Sequence, residues 1–213
     1  MSDKISLCYE RIKKALSKEK YPILRETGFR YFSILIPLID IDGEIHILFE
    51  KRSKNLISQP NEICFPGGGI ELGETTLQAA VREASEELSI DENHIEILAE
   101  MPILVTPFGT ILHPYVGSLL YLPTNPNPDE VSEVFTVPLD FFMNSAPEIQ
   151  NISVVTTPDD SFPYHYIENG SSYRWGKGKY SVYFYFYEDK IIWGMTAKLL
   201  VELVNELKDH LKI

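Results

Sequence analysis

The sequence predicts an α/β fold, with a mixed sheet covered by helices on both sides as one domain over residues 1–213. Three observations carry that prediction. Short runs rich in β-branched and aromatic residues alternate with amphipathic helical stretches. Hydrophobic residues make up 44% and charged residues 23%, which suffices for a core without metal or disulfide staples. No internal repeat or low-complexity tract divides the chain.

The first element is an N-terminal helix within residues 1–20, where Ile5, Cys8, Tyr9, Ile12, Ala15 and Leu16 fall at helical spacing. Tyr31 to Ile41 is apolar on both faces and reads as a central strand. Asp42-Gly43 is a hairpin signal, and Glu44 to Lys51 is the partner strand. In that partner Ile45, Ile47 and Phe49 alternate against His46, Leu48 and Glu50. Gly67-Gly68-Gly69 breaks the pattern. A helix follows from about Thr76 to Leu88, with Thr75 as N-cap and Gln78 completing a capping box. Its apolar stripe is Leu77, Ala80, Val81, Ala84 and Leu88.

Strands resume at Ile95 to Ala99, Ile103 to Thr106 and Tyr115 to Tyr121. Pro123 to Pro128 is a proline-rich connection, and Val137-Pro138-Leu139 leads into a short helix at Asp140 to Asn144. Residues 150–178, rich in proline, glycine and polar side chains, are assigned no element. Tyr180 to Tyr187 alternates strictly, and its Tyr183, Tyr185 and Tyr187 face should pack beneath the C-terminal helix. The chain turns at Glu188-Asp189-Lys190 into Ile191 to Trp193. A final helix, from about Thr196 to Leu211, carries Leu200, Leu203, Val204, Leu207 and Leu211 on one stripe.

Composition excludes several functions. Nineteen Lys and Arg face 31 Asp and Glu, a net charge of −12. That balance argues against a nucleic-acid binder and against adhesion to an anionic membrane. The longest apolar stretch, Ile34 to Ile41, is far short of a membrane span, and Met1 to Lys4 begins no signal peptide, so a cytoplasmic protein is expected. Cys8 and Cys64 show no metal or disulfide spacing and read as reduced thiols. The five histidines form no cluster, so no zinc site is expected. Tyr173 and Trp175 are candidates for a substrate wall or for a homodimer contact.

The chemistry concentrates in Phe65 to Ile90. Glu83, Glu86 and Glu87 stand at i, i+3 and i+4, hence on one helical face, which should point away from the apolar stripe. Such a ridge is either a solvated acidic face or a site for a hard divalent cation, which takes oxygen ligands. The three glycines before the helix favour the second reading, because they permit close backbone approach and can aim a carbonyl at the same cation. Glu74 and Arg82 can pair and lock loop onto helix, which makes Glu74 structural rather than catalytic.

This stretch resembles the Nudix box, G-x5-E-x7-R-E-U-x-E-E-x-G-U, with U aliphatic. Gly68, Glu74, Arg82, Glu83, Glu86, Glu87 and Ile90 match at the right spacing. Ala84 fills a slot usually larger, and Ser89 replaces the glycine near the helix end. The resemblance implies an α/β/α sandwich around a mixed sheet, a core over residues 30–140 with a hairpin and helix at 180–213, and a loop–helix–loop that binds Mg²⁺ or Mn²⁺. It also implies a small-molecule nucleoside diphosphate substrate. A narrower pattern, L-L-T-x-R-S-x3-R-x3-G-x3-F-P-G-G, is found in coenzyme A pyrophosphatases of that superfamily. Leu48 to Gly68 resembles it through Arg52, Ser53, Phe65, Pro66, Gly67 and Gly68, but has Ile57 for its second arginine and Asn61 for its first glycine.

The expected roles follow from the resemblance. Glu83 and Glu87 are the principal metal ligands, with the Gly67 carbonyl contributing. Glu86 is a further ligand or the base that activates water. Arg52 contacts phosphate, with Ser53 and Phe65 beside it at the substrate. Gly68, Glu74 and Arg82 form the structural frame. The expected reaction is cleavage of coenzyme A or an acyl derivative to 4′-phosphopantetheine and adenosine 3′,5′-bisphosphate. Two alternatives stay open: hydrolysis of another nucleoside diphosphate derivative, such as ADP-ribose or a dinucleotide, and a module that senses a nucleotide without cleaving it.

Overall fold

The computed structural model describes residues 28–211; the helix expected over residues 1–20, and Cys8 with it, lies outside them. β1 (Arg30–Ile41) and β2 (Glu44–Arg52) form the expected hairpin. Asp42 and Gly43 both take positive φ (55° and 88°), the combination a two-residue turn between twisted strands requires. β7 (Thr110–Leu119) runs parallel to β1 over nine residue pairs, from Arg30 beside Thr110 to Leu38 beside Ser118. β5 (Ile95–Glu100) and β6 (Leu104–Val105) pair antiparallel with β7, and β8 (Val131–Pro138) with β2.

A fork in this sheet positions the functional loop. The C-terminal end of β1 pairs with the start of β2, and the two strands then diverge. Two short strands occupy the gap: β3 (Ile63–Cys64) lies against Glu50 and Lys51, and β4 (Gly67–Gly69) lies against Phe32 to Ile34. Between them the Leu35 amide donates to the Pro66 carbonyl at 2.9 Å. The glycine-rich bend is therefore part of the sheet.

α1 (Thr76–Leu88) covers one face. Its capping box forms as expected: the Thr75 hydroxyl accepts from the Gln78 amide at 3.2 Å, and the Gln78 side chain accepts from the Thr75 amide at 2.9 Å. Leu35, Leu48, Tyr115 and Leu119 of the sheet pack here against Ala80, Ala84 and Leu88. The other face of the same strands presents Ile34, Ile36, Ile47, Phe49 and Val116 to α2 (Leu139–Asn144) and α3 (Gly194–Leu211). This is the period-two division of a strand buried on both sides. Tyr185 and Ile192 join that second core from a three-stranded antiparallel sheet, ordered β11 (Lys190–Trp193), β10 (Lys177–Tyr187) and β9 (Glu148–Val155). The tyrosine face of β10 does turn inward, with Tyr185 buried and Phe186 exposed.

Several expectations shift. Leu77 is exposed and Ala79 takes its place in the buried face of α1. The strand expected over Ile103 to Thr106 shortens to Leu104–Val105, while β7 begins at Thr110 rather than Tyr115. β8 and β9 were not expected at all; each owes its strand conformation to a partner distant in sequence, β2 and β10. Tyr173 and Trp175 pack within their own loop, where Trp175 meets Phe162 at 5.2 Å and Tyr173 at 5.1 Å. Among the described residues, no helix is long and apolar enough to cross a membrane.

Candidate active site

The site lies where α1 meets β4 and the end of β2. Arg82 joins its parts. Nε donates to Glu74 Oε1 at 2.8 Å and Nη2 to Glu74 Oε2 at 3.2 Å and to the Gly69 carbonyl at 3.1 Å. Nη1 donates to Glu83 Oε1 at 2.8 Å and to Glu86 Oε2 at 3.3 Å. The loop-to-helix lock expected of Glu74 and Arg82 is present. This guanidinium beside Glu74 holds its carboxyl below the usual range.

The glycines serve close approach. A Cβ on Gly68 would run into the Glu83 carboxyl, and one on Gly67 would stand 2.5 Å from the Ser33 carbonyl. The Gly67 amide donates to Glu87 Oε2 at 2.8 Å. Gly67, Gly68, Glu83 and Glu87 are thus brought together.

The acidic face differs from expectation in its direction. Glu83, Glu86 and Glu87 do share a side of α1, but that side does not turn away from the core. Glu87 is 3% exposed and belongs to the buried face beside Ala84 and Leu88, whereas Glu86 is largely exposed. The reason is the sheet's fork, which lets β4 meet Glu87 where a regular sheet would present a side chain. Burial pushes the carboxyls of both Glu83 and Glu87 above the usual range, Glu87 the more strongly.

A fourth carboxylate belongs to this site. Glu50 on β2 is fully buried, on the same strand face as Leu48 and therefore beneath α1. Its charge raises Glu87 further, and burial raises its own carboxyl. Oε1 accepts a hydrogen bond from Cys64 Sγ at 3.3 Å; Oε2 has no partner among the described residues. Glu130 adds a nearby negative charge, raising Glu50, Glu83 and Glu87 alike. In the sequence Glu50 is an ordinary polar position of an alternating strand, set apart only by standing where the coenzyme A pattern has threonine.

The residues expected at the substrate are more dispersed. Arg52 ends β2, half-exposed, with Nε 3.4 Å from the Ser58 carbonyl. Ser53 is buried; its amide donates to the Glu130 carbonyl at 2.7 Å, and its hydroxyl accepts from the Asn55 amide at 3.4 Å, which fixes the loop rather than opening toward a ligand. Phe65 is a correction: it stacks on Phe49 with ring centroids 5.1 Å apart, inside the second core, because the β3–β4 link turns its ring away from α1. Asn61 takes the left-handed backbone (φ 61°) that suits the pattern's glycine and that asparagine tolerates. Ile57 is fully exposed.

No three His, Cys, Asp or Glu side chains among the described residues converge closely enough to grip a metal ion as they stand, since Arg82 draws Glu83 toward itself and Gly67 holds Glu87. The donor set nevertheless fits a hard cation. It is rich in carboxylates, its members repel one another, and one buried oxygen is unsatisfied.

A family model described as the NUDIX domain matches residues 30–156. The peroxisomal coenzyme A diphosphatase NUDT7 of Mus musculus is 33% identical over 190 residues, covering 83% of this chain and 72% of that protein. The Nudix hydrolase NudL of Photorhabdus laumondii is 30% identical over 184 residues, covering 84% and 86%. A MutT/nudix family protein from Enterococcus faecalis has a solved structure that superposes with a TM-score of 0.50 at 14% identity, over 94% of this chain and 69% of that one; this likeness concerns the fold alone.

Proposed function

The chain belongs to the NUDIX family, and from that premise we propose that it hydrolyses the diphosphate bond of coenzyme A or an acyl-coenzyme A. The products are 4′-phosphopantetheine and adenosine 3′,5′-bisphosphate, and the reaction depends on Mg²⁺ or Mn²⁺. The observation that carries the reading is the meeting of Gly67 and Gly68 with Glu87 and Glu83, a carboxylate cradle against half-buried backbone. The similarity to a coenzyme A diphosphatase and the Arg52–Gly68 pattern support the substrate.

Glu83, Glu87 and Glu86, with the Gly67 carbonyl, would hold the cation. Once bound, such a cation neutralises diphosphate charge and makes a water more acidic. The chain's own residues supply the positioning that phosphoryl chemistry mostly needs. Arg82 fixes the Glu83 carboxylate against the loop and ties that loop down through Glu74. Glu86, the exposed member, is a further ligand or takes the proton of the attacking water. Arg52, at the mouth of the Arg52–Glu62 loop, is the cation for a substrate phosphate.

One observation favours a second substrate within the same chemistry. The exposed Ile57 removes a cation that the coenzyme A pattern has, so ADP-ribose or a dinucleotide is the rival. Incubating the protein and Mg²⁺ with a panel of diphosphate compounds, with products identified by mass, separates these. Coenzyme A cleavage to the two named products is expected. Cleavage of ADP-ribose alone would overturn the substrate, and tight nucleotide binding without any cleavage would favour a sensor.

A further inference from the structure

We propose that Glu50 is an additional ligand to the divalent cation, a fourth carboxylate reaching the site from the sheet rather than from the helix. This rests on the metal-dependent reading above. Three features of the structure carry it. First, Glu50 is fully buried, yet Oε2 has no hydrogen-bond partner among the described residues. A buried carboxylate oxygen left without a partner is costly, and a native structure keeps one where something else satisfies it. Second, the side chain is aimed at the site. Leu48, two residues earlier on β2, packs against Ala80, Ala84 and Leu88, so Glu50 lies on the same face and beneath the last turns of α1. Cys64, its cross-strand partner, holds Oε1 from the side at 3.3 Å and leaves Oε2 as the open atom.

Third, negative charge outweighs positive around it. Glu83, Glu87 and Glu130 all lie within electrostatic reach, and Arg52 offsets only part of that charge, since it forms no ion pair with Glu50 among the described residues and turns its Nε to the Ser58 carbonyl. Several carboxylates that Arg52 and Arg82 only partly offset, two of them buried, suit a small doubly charged ion with oxygen ligands. A purely structural residue would have no use for the charge; a threonine or glutamine could accept the Cys64 bond as well.

Binding of Mn²⁺ alone, followed by electron paramagnetic resonance and by calorimetry, tests this on wild type and on Glu50→Gln. The variant should bind Mn²⁺ at least roughly 10- to 100-fold more weakly, because even a group that only orients a metal ligand is worth that much. Without metal its melting temperature should equal or exceed that of wild type, because a buried charge has been removed, and added Mn²⁺ should raise it less. Wild-type affinity in Glu50→Gln, or a lower metal-free melting temperature, would overturn the proposal while leaving the hydrolase reading intact. Failure of wild type itself to bind Mn²⁺ would overturn both. Should Glu50→Gln not fold, Glu50→Thr takes its place with the same expectations; if neither folds, Glu50 is structural and the proposal falls.

Discussion

The two faces of the main sheet are built from different side chains. Toward α1 the helix presents Ala79, Ala80 and Ala84, and the carboxylates of Glu83 and Glu87 reach backbone atoms of the glycine bend. Toward α2 and α3 the contacts are large. Phe49 meets Phe65, Phe135 and Phe142 with ring centroids 5.1, 5.5 and 5.9 Å apart, and Phe142 meets Tyr185 at 5.1 Å. Helix-to-sheet spacing follows side-chain size, so alanines bring a helix close enough for short acidic side chains to touch the strands. The comparison teaches that a thin, charged layer can be kept in place by a thick aromatic one behind it.

The largest expected effect falls on the thick side. Phe142→Ala should cost about 3–5 kcal/mol of stability by chemical denaturation, the usual range for emptying a buried aromatic site. Turnover per folded molecule should stay within a few-fold of wild type. On the thin side, Glu87→Gln or Glu83→Gln should lower turnover by on the order of 10²-fold, about 2.7 kcal/mol of barrier. Stability should hardly fall, since glutamine keeps the side chain's size and its oxygen can still accept the hydrogen bonds that Gly67 and Arg82 donate. Near-normal Mg²⁺-dependent rates in both variants would detach the chemistry from that face.

A pH titration sharpens the same contrast. Burial lifts the Glu50 and Glu87 carboxyls above the usual carboxylate range near 4.5. Above that range the native metal-free protein binds more protons than the unfolded chain, so its stability should fall as pH rises toward 8 or 9. Melting curves in a chelating buffer at pH 5.5 and 8 measure this, and the Glu87→Gln variant should show a shallower slope. The smallest effect belongs to the helix exit. Ser89 sits in the left-handed region (φ 52°, ψ 48°), where glycine carries no Cβ penalty. Ser89→Gly should add about 1 kcal/mol, a rise of roughly 2–4 °C in Tm. A fall would mean that the Ser85 and Ile90 hydrogen bonds around that exit depend on the serine.

What was legible in the sequence was local. Thr75 and Gln78 lie within one turn of each other, and Glu74 and Arg82 only eight residues apart, close enough for a short loop folding back on its own helix to join them. The three glutamates were legible as one face for the same reason. Their direction was not, because it depends on how the fork in the sheet meets α1. Glu50 read as an ordinary polar position on an alternating strand, and only the crossing of α1 over β2 buries it. β9, with Ile149 and Ile152 exposed, carries no hydrophobic pattern of its own. It is a strand because β10 pairs with it along eight residues. Phe65 looked like a substrate contact from its motif, and its place in the aromatic core comes from the turn between two strands that are too short to be visible in the sequence.

The excursion from Arg52 to Glu62 is stitched at its neck: the Arg52 amide donates to the Glu62 carbonyl at 2.9 Å and the Asn61 amide to the Arg52 carbonyl at 3.2 Å. Beyond that stitch Ile57 stands fully in solvent and takes no part in the hydrogen bonds that hold the glycine bend and its carboxylates. A lineage could therefore change the loop's tip, one residue at a time, while the Gly67–Glu87 and Arg82–Glu83 contacts are kept. Ile57, at the tip of the excursion, is where such drift would first be written.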